Sequence, residues 1–107
     1  MDFEITPLQL KEKLDSAQPV RVVDCRETGE WQIGHLEGAR HIPIREIPTR
    51  AHAELDPDED IVVYCHRGVR SADVTMWLRH QGFERAQSLR GGIDQWSRQV
   101  DSSVPTY

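Results

Sequence analysis

Apolar positions along the chain follow two rhythms that take turns. Val20-Arg21-Val22-Val23-Asp24 and Ile61-Val62-Val63-Tyr64 are β-branched runs that predict strands, the second continuous enough for a central parallel strand covered on both faces. Shorter strands are expected at Phe3–Ile5, Ala39–Ile42 and Ala86–Leu89. Helical signals fall between them. Thr6 can cap a helix with Pro7 at its first position and Gln9 closing a capping box, and this helix should run to about Ser16. A second helix is expected over Arg45–Leu55, where Pro48 is tolerable only near the first turn. A third spans Ser71–Gln81, with Val74, Trp77 and Leu78 on one face and Gly82 as its stop. After the turn Arg90-Gly91-Gly92, a last helix aligns Ile93, Trp96 and Val100 on one stripe. Glu27–Gly38 reads as turn-rich. The alternation predicts a single α/β domain, a central five-stranded parallel sheet flanked by helices on both faces. Residues 1–100 should form the domain and 101–107 a C-terminal tail, frayed or packed down.

Composition narrows the function. The 107 residues suit one hydrophobic core. Thirteen basic against 18 acidic residues give a formal charge of −5, which argues against nucleic acid and anionic membranes as partners. No apolar run approaches the roughly 18 residues of a membrane span. The start MDFEITPLQL lacks the basic and apolar stretches of a signal peptide, so a reducing, cytoplasmic setting is expected, with Cys25 and Cys65 as thiols. Glu54–Asp60 holds five carboxylates in seven residues without the spacing of a calcium loop, and reads as a solvated loop. Histidines 35, 41, 52, 66 and 80 are scattered, so no metal site is proposed.

The segment Cys65-His66-Arg67-Gly68-Val69-Arg70-Ser71 carries the candidate chemistry. It joins the most apolar strand to a helix, and ligands of open α/β sheets bind at that edge. A thiol there meets converging backbone N–H groups, the positive end of the next helix and cationic side chains, all of which favour a thiolate. Gly68 lets the backbone turn tightly. The loop carries Arg67, Arg70 and His66 and no carboxylate, a local anion trap on an acidic body. The competing reading of Cys65 is an inert, buried strand-end cysteine.

Val22-Val23-Asp24-Cys25-Arg26-Glu27, Glu30-Trp31, Gly34-His35-Leu36-Glu37-Gly38-Ala39, His41-Ile42-Pro43, the loop Cys65–Ser71 and Gly91-Gly92-Ile93-Asp94-Gln95-Trp96 occur in an order and spacing that strongly resembles the rhodanese-like family. The resemblance spans nearly the whole chain. It implies a parallel sheet flanked by helices and a sulfurtransferase whose Cys65 becomes a persulfide, moving a sulfane sulfur from an anionic, thiosulfate-like donor to a thiol, cyanide or a protein acceptor. No metal or organic cofactor is implied. Arg67 and Arg70 would orient the donor, with bracing of the loop or nearby carboxylates an equal alternative for Arg70, and Ser71 would help hold the persulfide. His66 stands where many relatives carry arginine, and reads as a surface residue. Cysteine phosphatases place their arginine six positions after the cysteine; here that position is Ser71 and Arg70 comes one earlier, which disfavours phosphatase chemistry.

Asp24, Arg26, Glu30 and His35 belong to framework segments where ion pairing or hydrogen bonding is the expected role. Gly34, Gly38 and Gly92 are expected in turns, and Trp31, Trp77 and Trp96 in core or lid packing. Cys25 departs from the small aliphatic residue or threonine usual among relatives. It reads first as a small buried hydrophobe, and second as a resolving thiol that attacks the Cys65 persulfide. Two other functions stay open: a non-catalytic interaction or regulatory module, and a sulfur-relay partner of an adenylyltransferase and a ubiquitin-like sulfur carrier. The second follows from Gly91–Tyr107, which resembles the end of rhodanese domains fused to adenylyltransferases. With no adenylylating domain in these 107 residues, that partner is expected to be a separate protein.

Overall fold

The computed structural model describes residues 1–107. Five strands, β1 (Glu4–Ile5), β2 (Arg21–Asp24), β3 (Arg40–His41), β4 (Ile61–Tyr64) and β5 (Ala86–Leu89), form one parallel sheet in the order β1-β5-β4-β2-β3. Four α-helices connect them, α1 (Pro7–Asp15), α2 (Thr28–Ile33), α3 (Ile47–Glu54) and α4 (Val69–His80), and a fifth, α5 (Gly92–Gln99), follows β5. The capping box at Thr6 is formed in both directions, Gln9 N–H to Thr6 Oγ1 at 3.1 Å and Thr6 N–H to Gln9 Oε1 at 2.9 Å.

The sheet separates two cores, because alternate residues of each strand point to opposite faces. Val23, Ile61 and Val63 pack with α3 and α4 through Ile47, Ala51, Val74 and Leu78. Val22, Val62 and Tyr64 pack with α1 and α5 through Leu10, Ile93 and Trp96. Burying one such side chain stabilises the fold by about 1.5–3 kcal/mol. Trp77 and Val100 lie only partly buried beside these cores. No helix is long and apolar enough to cross a membrane.

Four local expectations change. The stretch 27–38 contains α2, a helix with no buried residue, so apolar periodicity could not disclose it. Its signal is electrostatic: Glu30 accepts the Glu27 N–H at 3.2 Å, closing the helix start. Arg45–Leu55 splits into a 3₁₀ turn, Ile44–Glu46, followed by α3, with Pro48 in its first turn as the ring requires. Helix α4 begins at Val69, two residues before the expected start, so Arg70 and Ser71 lie in its first turn. The acidic stretch is exposed at Asp56–Asp58, as read, but anchored at its ends: Asp60 binds Lys13 and Arg85, and Glu54 binds Arg40 and Arg50.

Candidate active site

The carboxyl ends of β2, β4 and β5 deliver three segments to one edge: Cys25-Arg26, Cys65–Gly68 and Arg90-Gly91-Gly92. Cys65 follows β4 directly and is 1% exposed. Its Sγ accepts the N–H of Gly68 at 3.1 Å and of Ser71 at 3.3 Å. The thiol also lies 3.4 Å from Ser71 Oγ, which shares a 2.8 Å hydrogen bond with buried Ser88 Oγ on β5. Two fixed amides thus converge on Sγ, and the Ser71 hydroxyl, which also reaches Gly68 O at 3.3 Å, stands beside it.

Gly68 stands in the left-handed region, φ 109°, where glycine carries little steric cost, and that turn aims its N–H at the sulfur. The loop is fastened from below by α5. Ile93 N–H donates to Cys65 O at 2.9 Å and Asp94 N–H to His66 O at 3.1 Å. A Cβ on Gly92 would stand 2.5 Å from Cys65 O and 2.4 Å from His66 O, so this glycine serves a close backbone approach as well as a turn.

The cations of the loop divide. Arg67 is exposed. Arg70 is held in a bidentate pair with Glu30 of α2, Nη1 to Oε1 at 2.7 Å and Nη2 to Oε2 at 3.0 Å, the bracing alternative rather than a free donor-binding cation. This guanidinium, opposed by partial burial and aided by the Tyr107 hydroxyl, holds the Glu30 carboxyl down at about 2. Val69 projects into solvent, 76% exposed.

His66 is half-buried rather than exposed, because the tail folds over it. Its ring stacks on Tyr107 with centroids 4.0 Å apart and planes 13° from parallel. Its Nε2 is buried without a hydrogen-bond partner. The Tyr107 hydroxyl donates to Glu30 Oε2 at 2.6 Å and accepts from Arg26 Nη1 at 2.9 Å. Arg26 is fully buried and paired with equally buried Asp24 at 2.7–3.1 Å, and its guanidinium also donates to Gly34 O. Upstream, buried Val104 accepts a 2.6 Å bond from Ser97 through its carbonyl, and Pro105 lies where a Cβ on Gly34 would fall. The tail is thus pinned at Val104 and Tyr107, while the residues around them stay exposed. None of the surface cavities, the largest about 490 Å³ and bounded by α1, His35–Glu37 and the tail, is lined by a residue of the loop.

His35 bonds Trp31 O through Nδ1, and the Trp31 ring is stacked between His35 and His41. Cys25 is fully buried beside Cys65 in the α3–α4 core. Burial, with Cys65 and Asp24 as neighbours, pushes its thiol well above the usual range. Sequence reasoning missed Ser88 and Tyr107, which reach the loop only through tertiary packing and have no local signature.

A parallel α/β domain presenting a strand-end cysteine in an amide-lined, cation-bearing loop has the parts that thiol-based group transfer requires. The chain belongs to the rhodanese-like family: the model of the rhodanese-like domain matches residues 6–99. It is 38% identical to "Probable adenylyltransferase/sulfurtransferase MoeZ" of Mycobacterium tuberculosis over 96% of its own length but 26% of that protein's. It is 37% identical to a protein of Allochromatium vinosum named sulfurtransferase, covering 89% of this chain and 88% of that one. The crystal structure of a rhodanese-like domain protein from Staphylococcus aureus superimposes with a TM-score of 0.85 at 31% identity, over 99% of both chains. The chain spans about a quarter of the length of the first curated relatives it matches.

Proposed function

We propose that this chain is a sulfurtransferase that carries a sulfane sulfur as a persulfide on Cys65. The observation that carries the reading is the convergence of the Gly68 and Ser71 amides on the Cys65 Sγ within a loop free of carboxylates. The Cys65 thiolate attacks the outer sulfur of a thiosulfate-like donor. A new S–S bond forms, the donor's S–S bond breaks, and sulfite leaves with its electron pair. Arg67, the exposed cation of the loop, draws and orients the anion, while Arg70, tied to Glu30, keeps the loop in shape. The amides of Arg67, Val69 and Arg70, which have no acceptor elsewhere in the fold, are available to the outer sulfur or the departing sulfonate. An acceptor thiolate or cyanide then attacks the outer sulfur and regenerates the Cys65 thiolate. The short spacing to Arg70, together with its engagement by Glu30, speaks against phosphoryl transfer.

The relatives named adenylyltransferase/sulfurtransferase and sulfurtransferase support a place in sulfur transfer. A protein acceptor such as a ubiquitin-like sulfur carrier fits that reading. Intact mass after exposure to thiosulfate, then to cyanide, tests it. Wild type is expected to gain one sulfur atom and discharge it as thiocyanate, and Cys65→Ser to gain none. A wild-type chain that gains no sulfur from thiosulfate or inorganic polysulfide refutes the mechanism and leaves the interaction module as the reading.

A further inference from the structure

The proposed mechanism leaves one nucleophilic side chain unused, and it is the immediate neighbour of Cys65. The β2–β4 ladder pairs Arg21 with Ile61 through Asp24 with Tyr64. It continues one residue further, since the Cys25 N–H donates to Tyr64 O at 3.1 Å. The next lateral pair in this register is Cys25 and Cys65. Residues side by side on parallel strands point to the same face. Accordingly Val23 and Cys25 of one strand share a core with Ile61, Val63 and Cys65 of the other. Neighbouring strands lie about 4.8 Å apart, inside the window of roughly 4.4–6.8 Å between the Cα atoms of a disulfide. Both cysteines are thiols, and both are buried.

We infer that Cys25 is a resolving thiol which closes a disulfide with Cys65 and expels the transferred sulfur as hydrosulfide, giving the domain a sulfide-releasing activity beside sulfur transfer. The inference rests on the Cys65 persulfide proposed above. Position selects the sulfur attacked. The outer sulfur of the persulfide extends from Sγ into the loop, whereas the inner sulfur stays at the strand end, level with Cys25. Attack on the inner sulfur forms the Cys25–Cys65 S–S bond and breaks the bond to the outer sulfur. The outer atom departs with that electron pair and takes the proton given up by Cys25. The sulfane sulfur is reduced to sulfide, and the two cysteines are oxidised to the disulfide. An external dithiol reductant supplies the two electrons and two protons that reset the pair. The product thus depends on timing: an acceptor that arrives early receives sulfane sulfur, and without one the sulfur leaves as sulfide.

The reduced full chain, freed of added thiol, is mixed with thiosulfate or inorganic polysulfide, sampled over time, blocked with N-ethylmaleimide and weighed intact, with sulfide assayed in parallel. Wild type should first gain one sulfur atom, then lose it and two hydrogens, releasing one sulfide per chain, with peptide mapping locating a Cys25–Cys65 crosslink. Cys25→Val, of similar volume, should load and keep its sulfur without releasing sulfide; Cys25→Ala serves should that variant not fold. A wild-type persulfide that persists without crosslink, or equal sulfide release from the variants, overturns the resolving role while leaving the Cys65 persulfide standing. Absence of any sulfur gain in wild type and variants alike overturns both.

Discussion

Gly92→Ala tests the fastening of the loop. Gly92 has φ +61° and opens α5, whose first amides hold the Cys65 and His66 carbonyls. A Cβ there meets these two oxygens at 2.5 and 2.4 Å and the His66 carbonyl carbon at 2.6 Å. The obstacle is backbone on both sides, so no side-chain rotation relieves it, and the carbonyls must retreat by about 0.5 Å or more. The left-handed conformation costs an alanine about 1–2 kcal/mol. Loosening the bonds from Ile93 and Asp94 adds about 1 kcal/mol each. The sum is about 3–4 kcal/mol, which in a domain of this size lowers the melting temperature by roughly 15–25 °C. Displacing Cys65 on that scale should slow persulfide formation about 100-fold. Gly38→Ala is the matched control: φ +79°, with nothing within 4 Å of the added Cβ, so it incurs the conformational cost alone. Thermal unfolding by circular dichroism and the rate of sulfur loading read the two effects. A Gly92→Ala chain no less stable than Gly38→Ala, and loading at the wild-type rate, would refute the fastening argument.

Two further outcomes concern the network above the loop. Glu30 has its pKa depressed to about 2 in the fold, so its pairing stabilises above an unfolded value near 4.3 and is lost as pH falls through about 2. With solvent screening of Arg70, Glu30→Gln should lose about 1–2 kcal/mol at pH 7. That deficit should shrink between pH 5 and pH 2 in urea titrations, and an unchanged deficit at pH 2.5 would contradict it. Because the Arg70–Glu30 pair shapes the loop, the same variant should slow sulfur loading from thiosulfate several-fold, and an unchanged loading rate would refute that role. Tyr107→Ala uncovers His66 and removes hydroxyl contacts to Glu30 and Arg26, so iodoacetamide should alkylate Cys65 faster than in wild type; equal rates would show that the tail does not restrict the thiol.

Local chemistry was legible where a short segment carries its own instruction. The capping residues around Thr6, the continuous apolar run of β4 and the glycine at the turn of the loop each act within a few residues, and each appears in the structure as read. Helix α2 was not legible because its stability comes from elsewhere: it buries no side chain and is anchored by Glu30 to Arg70, 40 positions away. The start of α4 shifted for a related reason. Its first turn is the loop itself, whose Gly68 cap shows no apolar periodicity.

The sequence by itself determined the class of fold, the place of Cys65 at the end of the most buried strand, and the excess of positive charge around it, because strand patterning and loop composition are properties of contiguous residues. Only the tertiary structure decided which cation stays free, what covers the loop and what lies beside the thiol. Arg70 is claimed by Glu30, His66 by Tyr107, and Ser71 by Ser88. Cys25 and Cys65, 40 residues apart in the chain, become lateral neighbours because the parallel register of β2 on β4 brings their strand ends level. Such pairings depend on how the sheet assembles, and no local run of residues encodes them.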